Sequence, residues 1–441
     1  MNRVAALIVI LALAAGAVPL HRDSLPNGLV VLTYEDHSVP AVDVRLACRS
    51  GAARDPENKS GLAGLVADML WRGSATMDDD SVAAELEFLG ARHSSGTDYD
   101  YSVVDLKVLT EHLGRGLELL FGGVLSPGFD PLVFERVRAS ALSSARRTHD
   151  SPRAVSMMEF DRLLFAGHPY GRPAGGDTAD IQALSLDDAR GFHRLNYVPN
   201  NCFVVVVGDV APAEAVRLVA ELTADWQPAE IPALAPPGPT VPTGLRVRLV
   251  ERPDLTQSYV TLGHPGISMT HPEMLATRLM AYILGGSALG SRFGDAVREQ
   301  GGLAYDVRCW FDRRSLPGAF RATVQTADPA TAIGKMREEI RRMHGEGPTA
   351  RELAGAKQYY TGSFPLGYSS SGGKLRLVTE AELHGLGSDW LDRFPAMVSN
   401  LELDELKQAA ARQLDPDNCY ITVIGNVTRQ ELELPGATWL D

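Results

Sequence analysis

Apolar residues recur along this chain in two alternating patterns, short β-branched runs and longer stretches with helical spacing. Residues 29–34 and 42–48 read as a pair of strands near the start, and residues 245–250 and 258–262 as a second pair midway. A β-branched run closes each half. Asn201 and Cys202 lead into residues 203–207 and a turn at Gly208, and Asn418 and Cys419 lead into residues 420–424 and a turn at Gly425. The same order in both halves predicts two copies of one α+β unit. Between the strands lie helical patterns. Leu62, Leu65, Val66, Met69 and Leu70 recur at helical spacing and define one apolar face. Ser60 is the predicted N-cap of that helix and Gly73 its stop.

One segment breaks both patterns. Between residues 226 and 243 fall Pro228, Pro232, Pro236, Pro237, Pro239 and Pro242, too many for a helix or a sheet ladder. We read 226–243 as a semi-rigid linker between an N-terminal domain, 19–225, and a C-terminal domain, 244–441. Residues 1–18 read as a signal peptide. Arg3 precedes an apolar run over 4–18, and Ala15-Gly16-Ala17 has the small-x-small form of a cleavage site. The run is short of the ~20 residues a spanning helix needs. The expected location is therefore outside the cytoplasm, periplasmic or secreted, with no stable membrane insertion after cleavage.

Composition adds little to the picture. The formal net charge of −13 over 441 residues argues against a general nucleic-acid binder. Cys48, Cys202, Cys309 and Cys419 lie in strand-like apolar runs with no CxxC pair, which favours buried thiols and leaves a bridge open. The histidines are scattered without a helical metal spacing.

Several stretches together resemble the pitrilysin/insulinase-type zinc peptidases (inverted zincins). They are Arg49-Ser50-Gly51-Ala52-Ala53-Arg54-Asp55 followed by the helix from Ser60 to Ser74, then His168-Pro169-Tyr170-Gly171-Arg172-Pro173 and Tyr197-Val198-Pro199-Asn200-Asn201. In the second half they are Ile283-Leu284-Gly285-Gly286 and Arg298-Glu299-Gln300-Gly301-Gly302-Leu303-Ala304-Tyr305. The resemblance spans nearly the whole chain after residue 18 and implies two homologous α+β domains, each an antiparallel-rich sheet packed with helices. It implies a zinc helix of H-x-x-E-H form, where two His one turn apart bind the metal and the Glu takes a proton from zinc-bound water. Here those positions are Gly64, Ala67 and Asp68. The later Glu ligand falls on Ser144, or on Ser143 if the match slips by one. Ligands and general base are both gone, so we expect no metal and no cofactor in this chain.

The resemblance also places an Arg and a Tyr in the second domain, here Arg298 and Tyr305, which in two-chain members face the partner's zinc. A guanidinium and a phenol can donate hydrogen bonds to a developing oxyanion. The implied function is that of the non-catalytic subunit of a heterodimeric zinc metallopeptidase that cleaves extended peptides. A zinc-bearing family member would be the partner, and the chain would be inactive alone. Gly90 and Ala91 match the family's substrate-binding edge strand. Gly285 and Gly286 match a glycine-rich substrate loop of a related zinc-less subunit, and a plain turn is the competing reading. Asp98 to Tyr101 read as a solvated strand. The alternative function is a stand-alone peptide-binding or scaffold protein.

Overall fold

A computed structural model of the chain describes residues 20–287, 290–299 and 301–441. The proposed signal peptide, 1–18, lies outside them. Two six-stranded sheets account for both halves. The first contains β1 (His21–Ser24), β2 (Val30–Glu35), β3 (Ala41–Cys48), β4 (Arg92–Thr97), β5 (Ser102–Leu109) and β6 (Cys202–Gly208), in the order β1-β2-β6-β3-β5-β4. The second contains β7 (Leu245–Glu251), β8 (Ser258–Pro265), β9 (Ala304–Phe311), β10 (Ala319–Thr326), β11 (Cys419–Gly425) and β12 (Thr438–Leu440), in the order β12-β7-β11-β8-β10-β9. Strand for strand, β2 to β6 repeat as β7 to β11. Each sheet is mostly antiparallel, with the β2–β6, β7–β11 and β7–β12 pairs parallel. The duplicated α+β architecture read from the sequence is therefore the one observed.

The linker divides the chain but not the packing. The helix Pro152–Leu164 belongs to the first half and lies on β8 and β11 of the second sheet, where Phe160 and Leu164 join Ala319 and Tyr420. The helix Ser371–Leu383 returns the exchange. It lies on β3 and β6, with Leu375 and Val378 against Ala47, Phe203 and Val205. Each central strand is thus covered on both faces, which is why β6 and β11 read as unbroken apolar runs rather than alternating ones. A buried ion cluster seals the junction. Arg321 on β10 pairs with Asp312 at 2.8 Å and with Asp161 of the crossing helix at 2.6 Å. The linker carries no regular element, and Thr240 N–H donates to the Leu164 carbonyl at 2.7 Å.

Two local expectations need correction. Ser60 does not cap the helix Leu62–Met69. Its hydroxyl donates to Asp180 at 2.5 Å, while the Asp55 carboxylate accepts from the Gly61 and Ala63 amides at 2.8 Å each. Helix-end amides need an acceptor, and a buried carboxylate eight residues upstream of Ala63 supplies it. Asp98 to Tyr101 are not a solvated strand. They form the β4–β5 connection, docked on the second domain. Tyr99 is buried, Asp98 pairs with Arg314 at 2.6 Å, and Asp100 accepts from the Ser315 amide at 2.7 Å. All four cysteines are buried free thiols.

Candidate functional site

The helix Leu62–Met69 presents its outer side to the edge strand β4 across a cleft of 420 Å³. An added Cβ at Gly64 would meet nothing within 4 Å, so no neighbouring side chain packs against that position. Ala67 is fully buried. Asp68 alone projects outward, and the Ser95 hydroxyl on β4 donates to it at 2.5 Å. Packing around that carboxyl raises its pKa, against the Ser95 bond and the Arg72 charge. His93 tilts against Trp71 at 5.1 Å between ring centroids, and burial, then Arg72, pushes its pKa down. Asp79 draws in Arg136 at 2.8 Å and Arg72 at 3.7 Å. The cleft is thus neutralised from within.

Ser144 sits on the long helix Pro131–Asp150, exposed. It lines a different cavity, at the domain junction with Tyr99, Asp161 and Arg321, and not the Asp68 cleft. The Ser143 hydroxyl is held by Arg147 at 2.9 Å. A zinc ion wants four convergent N, O or S ligands. One hydrogen-bonded carboxylate with open space at Gly64 and a methyl group at Ala67 does not fit it. Among the described residues no three His, Cys, Asp or Glu side chains converge so as to hold a metal.

Gly90 and Ala91 lie just before β4, not on it. Gly90 has φ +61°, its amide bonds the Glu87 carbonyl at 3.0 Å, and the Ala91 amide bonds the Leu86 carbonyl at 2.9 Å. That is a left-handed helix stop, for which glycine is the natural residue. β4 itself is an edge strand, so one side of its backbone is open to an added strand. Its second and fourth residues, His93 and Ser95, gather with Arg72 and Arg136 around Asp68. Sequence reasoning missed this group. Two signals pointed to it: Arg72 lies one turn beyond Asp68, and alternate residues of a strand share a face.

In the second domain Arg298 falls in a π-helical segment, Gly294–Glu299, and its half-buried side chain is engaged by a neighbour. Tyr305 lies on β9, and its side chain lies outside the described residues. The ladder there is irregular: Gln325 pairs with Asp306 and Thr326 with Ala304, leaving Tyr305 as the extra residue of a bulge. Gly285 and Gly286 end a second π-helical segment, Tyr282–Gly286. A Cβ on Gly285 would stand 2.6 Å from the Phe293 ring and 3.0 Å from the Cys309 amide, so close packing explains that glycine. Gly286 is exposed on the rim of a second-domain cavity described below.

Two repeated α+β units, each with an edge strand facing a helix, define the class of fold. The comparisons give its family. Residues 30–178 match the family described as insulinase (peptidase family M16), and residues 183–360 match the peptidase M16 inactive domain. The chain belongs to the M16 peptidase family. An uncharacterised zinc protease of Streptomyces coelicolor is 24% identical over 417 residues, covering 93% of this chain and 90% of that protein. A Helicobacter pylori protein named a non-peptidase homolog is 22% identical over 421 residues, covering 95% and 96%. The crystal structure of a peptidase M16 inactive domain from Pseudomonas fluorescens superposes with a TM-score of 0.86 at 26% identity, covering 93% of this chain and 98% of that one.

Proposed function

We propose that this chain is the non-catalytic subunit of a heterodimeric zinc metallopeptidase, exported from the cytoplasm. It supplies half of an enclosing chamber to a zinc-bearing family member that cleaves extended peptides. One observation carries the reading. The helix and edge strand that would frame the chemistry are both in place, while Gly64, Ala67 and Asp68 occupy the ligand and base positions. A frame kept without its reactive groups suits a protein that contributes shape and substrate contacts rather than water activation. Arg298 and Tyr305 are assigned to the partner's reaction, donating to the carbonyl oxygen as it becomes an oxyanion. The chain has no general base or metal of its own in this reading, and every bond-breaking step belongs to the partner.

The test is co-expression with a zinc-bearing family member from the same genome, followed by size-exclusion chromatography and peptide hydrolysis. One mixed peak with zinc bound to the partner is expected. Tyr305→Phe should leave assembly and zinc unchanged and lower turnover by roughly a hundredfold, the scale of losing one oxyanion donor. Arg298→Lys keeps charge but loses the planar fork, and should also lower turnover more than it raises the Michaelis constant. Two separate peaks at micromolar concentration would sink the heterodimer and favour a stand-alone peptide-binding protein. Full activity of the Tyr305→Phe/Arg298→Ala double variant would show the pair to be structural.

A further inference from the structure

The second domain holds a cavity of 590 Å³. Its walls are the helix Met274–Ala281, the strand β9, and the helices Ala350–Gly367 and Trp390–Asn400. The lining is aromatic. Tyr282 stacks on Tyr359 at 4.4 Å between centroids and meets Tyr360 edge-on at 5.5 Å. Trp390 and Phe394 are buried within the wall. Rings held this way offer a flat apolar box to another large side chain.

The charge of the box is one-sided. Arg278 lies over the rings of Tyr360 and Phe394, 5.0 and 5.3 Å from their centroids, and no described carboxylate pairs with it. Arg308 and Arg313 line the same cavity and are held by Asp306 and Glu380, which stand outside it. No described lining residue is an Asp or Glu. Arg313 shows the imbalance: burial, then the nearby Arg278 and Arg376, push its pKa down to about 9. A guanidinium against aromatic faces, short of a counter-ion, is a site for a carboxylate on an apolar body.

The strand beside the box narrows the class. β9 is the edge of its sheet, and Cys309, Trp310 and Phe311 form one wall. An extended peptide can add to such an edge through main-chain hydrogen bonds while one side chain enters the pocket. We propose that this cavity binds the carboxyl-terminal residue of an extended peptide, with its large apolar side chain among Tyr282, Tyr359 and Trp390 and its α-carboxylate on Arg278. The site needs neither zinc nor a partner chain, so it stands or falls apart from the heterodimer.

The full-length chain alone is titrated by fluorescence anisotropy with a dye-labelled hexapeptide ending in phenylalanine, as the free acid and as the carboxyl-terminal amide. The free acid should bind saturably, and the amide about tenfold or more weaker, the scale of a charge-assisted hydrogen bond. Arg278→Gln should erase the difference between the two peptides, and Arg278→Lys should keep part of it, with thermal melts confirming that each variant folds. Equal binding of acid and amide by the wild-type chain overturns the proposal, as does no saturable binding. Binding of dodecanoate with no binding of either peptide overturns it too, in favour of a lipid site. The acid-versus-amide comparison uses the unaltered protein, so it stays decisive even if a variant fails to fold.

Discussion

The two halves of this molecule build the same cleft twice and fill it differently. In the first, the helix Leu62–Met69 faces the edge strand β4, and in the second the helix Met274–Ala281 faces the edge strand β9. The first cleft is small and polar, and its charges cancel: Asp79 takes both arginines, and Ser95 holds Asp68. The second is larger and aromatic, and its Arg278 has no described counter-ion. The helices are also anchored differently. Asp55 is buried and bonds two helix-end amides, whereas Glu273 is only partly buried, paired with Arg412 and Gln413. Duplication fixes where a cleft forms, because topology puts a helix beside an edge strand. What a cleft can hold depends on a few side chains, which change without disturbing the fold. The first helix keeps its place through its apolar face and Asp55.

The largest effect should come from placing a carboxylate at Ala67, the position that the family resemblance matches to a general base. Ala67→Glu places a carboxylate where the native methyl group is fully buried. Burying a charge without a partner costs several kcal/mol, so we expect a loss of about 3 kcal/mol or more in urea unfolding. Wild-type stability would mean that this helix side is far more open than described. The same variant combined with Gly64→His, Asp68→His and Ser144→Glu should bind zinc weakly or not at all by elemental analysis, since Ser144 faces another cavity.

Next in size is a pH effect confined to the first helix. Burial raises the Asp55 pKa to about 7 despite its two amide bonds, against about 3.9 in an unfolded chain. The folded state therefore holds its proton longer. The stability it contributes is complete below pH ~4 and is lost as pH rises through 7, about 2 kcal/mol of it between pH 5 and 7. Asp55→Asn should flatten that slope in denaturation midpoints measured at the two pH values. An unchanged slope would assign the titration to another group. Glu273 is different. Its bond to Arg412 holds its pKa below the ordinary carboxylate value, so Glu273→Gln should leave the pH 5 to 7 slope intact.

Much of this comparison was legible in the sequence. The repeated strand order follows from periodicity, whereas Gly64, Ala67 and Asp68 were singled out only through the family resemblance. The exchange of helices between the sheets was not legible. Phe160 and Leu375 look like ordinary apolar helix residues, and nothing local says which sheet they cover. The cluster of Arg321, Asp312 and Asp161 was hidden for the same reason, since its members come together only when the halves dock. The second cavity was missed because its residues arrive from four separate elements, and aromatic positions on a helix read as core. Motif matching also blurred roles. Arg49, quoted for its resemblance, ties the crossing helix by bonding Glu382 at 2.9 Å, a structural duty that spacing does not reveal.

The glycines of the two clefts make a paired prediction. In the second domain Gly285 has no room for a side chain. Gly285→Ala should cost about 1–2 kcal/mol through contact with Phe293 and Cys309.

Gly64 gives the smallest effect and the sharpest contrast. It lies inside the helix Leu62–Met69, it is not among the positive-φ glycines, and an added Cβ would touch nothing within 4 Å. Glycine in such a place is a helix weakness with no packing reason, because the flexible unfolded chain loses more freedom on ordering than alanine would. Gly64→Ala should therefore stabilise the protein by about 0.5 kcal/mol, within the alanine-over-glycine helix preference. The measurement is the urea midpoint at unchanged slope. A clear loss of stability would show that the space beside Gly64 is occupied in solution, which would make the first cleft a filled site rather than an emptied one. If the isolated chain gains stability but pairing with a zinc-bearing partner weakens, the open space at Gly64 belongs to the shared chamber, and its emptiness is a feature of the assembled pair.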